Sequence, residues 1–131
     1  MIKSKTTAMS PCLIVRNVEQ TMAHYCGKLG FEATFVEPTA DPFFAVMCRD
    51  EAQLLVKALK DVAPIPNVSR HPWMPWDAFV YAPDPDELAA EFREQGATLS
   101  APLIDRHDGL RGFEVTDPDG YVMFFGRPIT P

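Results

Sequence analysis

The chain runs through one pattern twice, and a proline-rich stretch divides the two passes. The segment "PCLIVRN" (11–17) is a short apolar run closed by a polar residue, which predicts a strand. The period then changes. Val18, Met22, Tyr25 and Leu29 recur at helical spacing, Asn17 suits the N-cap, Glu19 the first turn and Gly30 the C′ position. "FEATFVE", "PFFAVMCRD" and "AQLLVKAL" predict three more strands, with a turn at "RDEA" between the last two. Residues 60–75 hold four prolines, which predicts a linker or ordered loop without regular structure. The pattern then restarts. "WDAFVYA" (76–82) predicts a strand, and "DPDELAAEFREQG" a helix with Asp84 as N-cap, Pro85 at N1, Glu87 at N3 and Gly96 at C′. "ATLSAPL", "RGFEVTD" and "YVMFFGR" complete the second set, with "DPDG" as the tight turn before the last strand. Val15 corresponds to Ala82 and Tyr25 to Phe92 at one offset, and Gly30 to Gly96 at an offset one residue shorter. The repeat is too long for a solenoid, so it predicts a duplicated βαβββ module. Sheets of two such modules meeting face to face make a curved surface, and a site is to be sought there.

Composition narrows the classes. The chain has 131 residues, 47% hydrophobic and 23% charged, enough for one domain or for two half-domains sharing a core. Its formal charge of −6 and pI of about 4.9 argue against nucleic acid, which needs a clustered basic surface. An acidic surface attracts cationic ligands, although solubility alone explains most acidic chains. Cys12, Cys26 and Cys48 are dispersed and odd in number, the pattern of reduced thiols in a cytoplasmic protein. The first residues have no apolar core of a signal peptide, and no apolar run is long enough to span a membrane. The expected organisation is a loose arm at 1–8, a first module at 9–59, the linker at 60–75 and a second module at 76–128.

Three segments in order, "LIVRNVEQTMAHYCGKLGF", "APDPDELAAEFREQGA" and "FEVTDPDGYVMFFGRP", resemble the vicinal oxygen chelate superfamily of glyoxalases, bleomycin-resistance proteins and extradiol dioxygenases. The first is similar to that family's opening strand and helix, and the last to its closing hairpin. The resemblance spans residues 11–128. It implies an α+β fold of two paired βαβββ modules, each curling into half of a cup as part of a curved mixed sheet, in a homodimer.

Metal-dependent members of that family hold an ion at four strand positions, two per module, with His, Glu or Gln. By resemblance the corresponding positions are Ser10, Leu55, Asp77 and Phe124. Leu55 and Phe124 have no donor, Ser10 is a poor ligand, and a single carboxylate does not hold a divalent ion. The histidines do not make up the deficit: His24 lies in the first predicted helix, His71 in the linker and His107 in the loop "DRHDG". The expectation is therefore no metal and no cofactor, and none of the metal-dependent chemistry. No G-x-S-x-G elbow, P-loop or G-x-G-x-x-G is present. Asp77 as a general base would need a raised pKa and a partner. An aspartate satisfied by backbone N–H groups of the linker is the plainer reading.

The period of two along strands then assigns the inward face. Starting from those four positions, it comprises Cys12 and Ile14, Gln53, Leu55 and Lys57, Asp77, Phe79 and Tyr81, and Val122 and Phe124. Tyr121, Met123 and Phe125 point the other way. Such a surface, apolar and aromatic with a few polar groups, is that of a small-molecule pocket. Trp73 and Trp76 flank Pro75 and predict either a stacking platform for a planar or cationic ligand, or one core cap and one interface residue. Phe43 and Phe44 must face opposite ways, one into the core and one into the cup. His71 lies beside the tryptophans, and Arg111, near flexible glycines, could reach an anionic group. The expected ligand-binding residues are thus Phe44, Leu55 and Lys57 from the first module, His71, Trp73 and Trp76 from the linker and its exit, and Asp77, Phe79, Tyr81, Arg111 and Phe124 from the second.

Three functions compete on these grounds. The first is a non-catalytic protein of the bleomycin-resistance type, holding an aromatic or cationic ligand such as an antibiotic. By resemblance, its cleft would lie at a dimer interface. The second is a lyase or isomerase working without metal, or with a relocated one, through Asp77, His71 or Glu114. The third is a dimeric scaffold for protein interaction. The absent ligand set and the aromatic inner face favour the first.

Overall fold

A computed structural model describes residues 4–129. The elements run β1 (Cys12–Ile14), α1 (Val18–Lys28), β2 (Glu32–Glu37), β3 (Phe44–Arg49), β4 (Ala52–Lys57), a 3₁₀ turn (Asn67–Ser69), β5 (Ala78–Tyr81), α2 (Pro85–Glu94), β6 (Ala101–Asp105), β7 (Leu110–Thr116) and β8 (Val122–Pro128). They form two four-stranded mixed sheets of identical plan, ordered β1-β4-β3-β2 and β5-β8-β7-β6. In each, the first strand lies parallel to the fourth and the remaining pairs are antiparallel. The fold is thus the α+β pair of βαβββ modules that the repeat predicts.

Local chemistry sets the helix ends. The Asn17 side chain accepts from Gln20 N at 2.9 Å and that of Asp84 from Glu87 N at 3.1 Å, each satisfying an orphan N–H of a first turn. Gly30 and Gly96 follow the helices with φ of 72° and 91°, a region that favours glycine.

The core is one cluster drawn from both repeats. It joins Tyr25, Leu29, Phe31, Met47 and Val56 of the first to Phe92, Phe113, Val115, Met123 and Phe125 of the second. All of these lie on the helix-covered side of their sheet or on a helix. Polar contacts reinforce the join. The Tyr25 hydroxyl donates to Asp117 Oδ2 at 2.8 Å, and the Tyr121 hydroxyl donates to the Ile14 carbonyl at 2.6 Å. Arg49 donates to the Leu29 carbonyl at 2.9 Å and to both oxygens of Glu91 at 2.6 and 3.0 Å, with its guanidinium carbon 5.6 Å from the Phe92 ring centroid. The two repeats therefore meet through their helix-covered faces. Within one chain the cup faces are turned outward, which corrects the expectation that they meet each other. Burial explains the choice, because each large core side chain gives about 1.5–3 kcal/mol when removed from water, and of the five aromatic side chains that are fully buried all but Phe124 sit in the helix-side core.

Three local expectations change. The strand expected over "ATLSAPL" begins only at Ala101 and runs to Asp105: the turn out of α2 at residues 95–96 leads into an irregular stretch in which Ala97 N donates to the Phe92 carbonyl at 2.9 Å and Ser100 N to the Glu114 carbonyl at 2.8 Å. The linker contains one 3₁₀ turn, in which the Asn67 side chain donates to the Trp76 carbonyl at 3.0 Å. Neither Phe43 nor Phe44 enters the core: Phe43 is 53% exposed, Phe44 is half-buried against Phe35, and Ala45 and Met47 fill the core instead.

His24 on α1 has a buried Nε2 with no hydrogen-bond partner among the described residues. Burial, and then the charge of Lys28, lower its pKa to about 4. A depressed histidine pKa leaves stability untouched above about pH 6.5 and withdraws it as pH falls toward 4, because the unfolded chain takes up the proton first. At 1.36 kcal/mol per pKa unit the full shift would correspond to about 3 kcal/mol, and the solvent that still reaches the ring reduces the expected size to about 1–2 kcal/mol. In urea melts, His24→Leu should flatten the difference in stability between pH 7 and pH 4.5 relative to wild type. Parallel pH profiles for the two proteins would refute this.

Candidate functional site

The outward face of the second sheet is aromatic. Register places Phe79 beside Phe124 and Tyr81 beside Gly126, and places Glu114 opposite Phe124 and Gly112 opposite Gly126 across β7–β8. Gly112 and Gly126 make room for the Phe124 ring, since a Cβ on Gly126 would lie 2.6 Å from Phe124 Cε2 and one on Gly112 would also meet the ring. Trp76, entering from the linker, stacks on Phe124 with centroids 4.1 Å apart and planes 24° from parallel. Phe79 meets Phe124 edge-on at 4.9 Å and stacks with Tyr81 at 4.4 Å. Phe124 is in consequence 1% exposed although it faces away from the main core, whereas Tyr81 is 74% exposed.

Polar groups frame these rings. The Trp76 indole N–H donates to Glu114 Oε2 at 2.9 Å. The Arg106 guanidinium carbon lies 4.9 Å from the Trp76 ring centroid and 5.7 Å from that of Phe124, and Arg106 grips Asp108 through Nε and Nη2. Glu114 enters the sequence reading only as a candidate catalytic acid. Counting back from Phe124 through the DPDG turn could have placed it on this face. Arg106, in a polar loop, carried no such signal.

Other expected site residues fall elsewhere. Asp77 accepts from Asn67 N at 2.9 Å through Oδ1 and from Val122 N at 2.8 Å through Oδ2, so both oxygens tie the linker and β8 to the start of β5. Arg111 projects on the helix side, opposite to Phe124, and is bound by Asp86 at 2.7 and 2.9 Å and by Asp105 at 2.9 Å. This corrects its assignment to the cup, because it shares the face of Phe113, not of Gly112. His71 is exposed and accepts from Trp73 N at 3.1 Å, while Trp73 is 76% exposed and stacks on no other ring among the described residues. The two indoles thus separate, Trp76 in the cup and Trp73 outside it.

Phe44, Leu55 and Lys57 line the outward face of the first sheet with Cys12, Ile14 and Val46, since Leu55 pairs with both Cys12 and Val46, and Lys57 with both Ile14 and Phe44. Phe35 on the same sheet is 52% exposed. A separate groove of about 790 Å³ lies between the β3–β4 turn, the outer edge of β5 and α2, and includes neither Trp76 nor Phe124. Among the described residues no three His, Cys, Asp or Glu side chains gather to hold a metal ion, and no helix is long and apolar enough to cross a membrane.

Residues 7–125 match the model of the glyoxalase/bleomycin resistance protein/dioxygenase superfamily. The chain belongs to this superfamily. Solved structures of the same fold include TioX from Micromonospora sp. ML1, at 20% identity and a TM-score of 0.72 over 94% of this chain and 99% of that one. They also include the bleomycin-binding protein of bleomycin-producing Streptomyces verticillus in complex with copper(II)-bleomycin, at 24% identity and a TM-score of 0.69 over 94% and 97%. A third is TnmS3, an antibiotic-binding protein from Streptomyces sp. CB03234, at 16% identity and a TM-score of 0.69 over 97% and 99%. No curated protein matches the chain in sequence.

Proposed function

We propose that this protein binds a small aromatic or cationic molecule of the antibiotic type without transforming it, in a cleft that a second copy completes. The observation that carries this reading is the stack of Trp76 on Phe124, extended by Phe79 and Tyr81 on an outward face. Stacked rings bind planar or cationic groups through dispersion and the ring quadrupole. Superfamily membership and the antibiotic-binding proteins that share the fold support the same reading. The first sheet's outward face leaves apolar groups such as Phe35 in water. Laying that face of one copy over the aromatic face of another would remove both from solvent.

The test is a thermal-shift series with cationic aromatic antibiotics, glutathione conjugates and divalent metal ions, run beside sedimentation velocity. A binder at about a hundred times its Kd adds about 2.7 kcal/mol to the native state. We expect stabilisation by at least one antibiotic, a large part of it lost in Trp76→Ala, and a dimer in sedimentation. Stabilisation by metal ions alone, with turnover of a glutathione conjugate, would favour the enzyme reading instead.

A further inference from the structure

The second-repeat cup already holds a planar cation, and the protein itself supplies it. The Arg106 guanidinium sits at the step between the Trp76 and Phe124 rings, 4.9 and 5.7 Å from their centroids. Against the same indole, through its N–H, lies Glu114, which is half-buried. One of its oxygens accepts the Trp76 N–H, and among the described residues the other oxygen has no hydrogen bond and the carboxylate no ion pair. We propose that this aromatic face, with Glu114, is a receptor for a planar cation (a guanidinium, an amidinium or a protonated aromatic amine) and that Arg106 is its resident competitor. The inference rests on the binding-protein reading above and specifies the charge and shape of the ligand.

Three features support it. Two ring faces meeting at a step attract a cation through their quadrupoles, and the attraction grows as water is excluded. The Glu114 carboxylate supplies a countercharge that Arg106 does not use, since the guanidinium pairs with Asp108 through contacts of 3.1 and 3.2 Å. That pair is local to the β6–β7 hairpin, where Asp108 Oδ1 also accepts from Leu110 N at 3.3 Å. Arg106 can therefore leave the rings while keeping its carboxylate, which makes displacement by a ligand cation inexpensive. The same pairing argues against an anion site, because the cation that touches the rings among the described residues is already balanced by Asp108.

Benzamidinium, with neutral benzamide as its isostere, tests the proposal in a Trp73→Phe background that leaves Trp76 as the only indole. Tryptophan fluorescence and calorimetry read the binding. Benzamidinium should bind more tightly than benzamide. Arg106→Gln should tighten benzamidinium binding roughly two- to fivefold, the loss of one exposed cation–π competitor, and should tighten benzamide less, because the neutral probe gains the vacated ring surface but not the relief of charge repulsion. Asp108→Asn should weaken benzamidinium, because Arg106 then keeps its full charge beside the rings. Glu114→Gln should erase the preference for the charged probe. Thermal melts of the unliganded variants check that each is folded, and the opposite signs expected at positions 106 and 108 keep the test decisive if one variant is unstable. Equal binding of the two probes, weaker binding in Arg106→Gln, or no benzamidinium binding at all would overturn the proposal. If antibiotics still stabilise the protein through Trp76 in those cases, the binding-protein reading stands without it. If they do not, both fail.

Discussion

Asp117→Ala is expected to cost about 3–5 kcal/mol of stability, among the largest effects of any single change in this chain. Asp117 is 5% exposed, at the DPDG turn between β7 and β8. Its Oδ1 accepts from Asp119 N at 2.9 Å and Tyr121 N at 3.0 Å, and its Oδ2 accepts the Tyr25 hydroxyl at 2.8 Å. Burial pushes the carboxyl above its ordinary pKa, and these three donors work against that push. Removing the carboxylate leaves three donors without partners in a place that water reaches poorly, and each costs about 1–3 kcal/mol. It also cuts the link from α1 of the first repeat to the turn of the second. Asp117→Asn keeps an acceptor for the turn N–H groups and should cost much less. Urea melts decide the matter: a loss below about 1 kcal/mol in Asp117→Ala would mean that the turn and Tyr25 find other partners. A double-mutant cycle with Tyr25→Phe should show coupling, because both changes act on one hydrogen bond.

Gly126→Ala should destabilise by about 3 kcal/mol, the upper end of overpacking costs, and should also dismantle the aromatic floor of the cup. The added methyl would lie 2.6 Å from Phe124 Cε2 and would meet the Arg111 carbonyl of the neighbouring strand. The ring is pinned beneath Trp76 and the carbonyl belongs to the β7–β8 ladder, so neither yields cheaply. The near-ultraviolet circular dichroism of the stacked Trp76 should fall together with the melting temperature. Adding Phe124→Leu should recover only part of the stability, because the clash with the Arg111 carbonyl remains. A variant with an unchanged aromatic spectrum would show that the ring does not depend on the glycine floor.

The helices were legible in the sequence because their ends are local: Asn17 and Asp84 accept from a backbone N–H three residues on, whatever the rest of the chain does. The last strand was legible because the DPDG turn sets its register and alternation sets its faces, so Phe125 was expected in the core and Phe124 on the cup side. The structure places them so. Arg111 is not legible from its neighbouring glycines, whereas alternation from Phe113 puts it on the helix side. Asp77 carried a rival reading from the start, and its hydrogen bonds to Asn67 and Val122 match the structural one. Arg106 could not be found, since nothing local says that a loop arginine will rest on a tryptophan thirty positions earlier in the chain.

What the sequence determined by itself was the duplicated βαβββ plan and the aromatic character of one sheet face, because both follow from periodicity and turn chemistry within a few residues. Only the tertiary structure decided how the two repeats join and what the cup contains. Tyr25, Arg49, Phe92 and Asp117 are far apart in sequence, and their packing turns the helix-covered faces together and the cup faces outward. Trp76 covers Phe124 because two glycines leave room for the ring and Glu114 lies within reach of the indole N–H. Those are distances in space, and a pattern along the chain does not encode them.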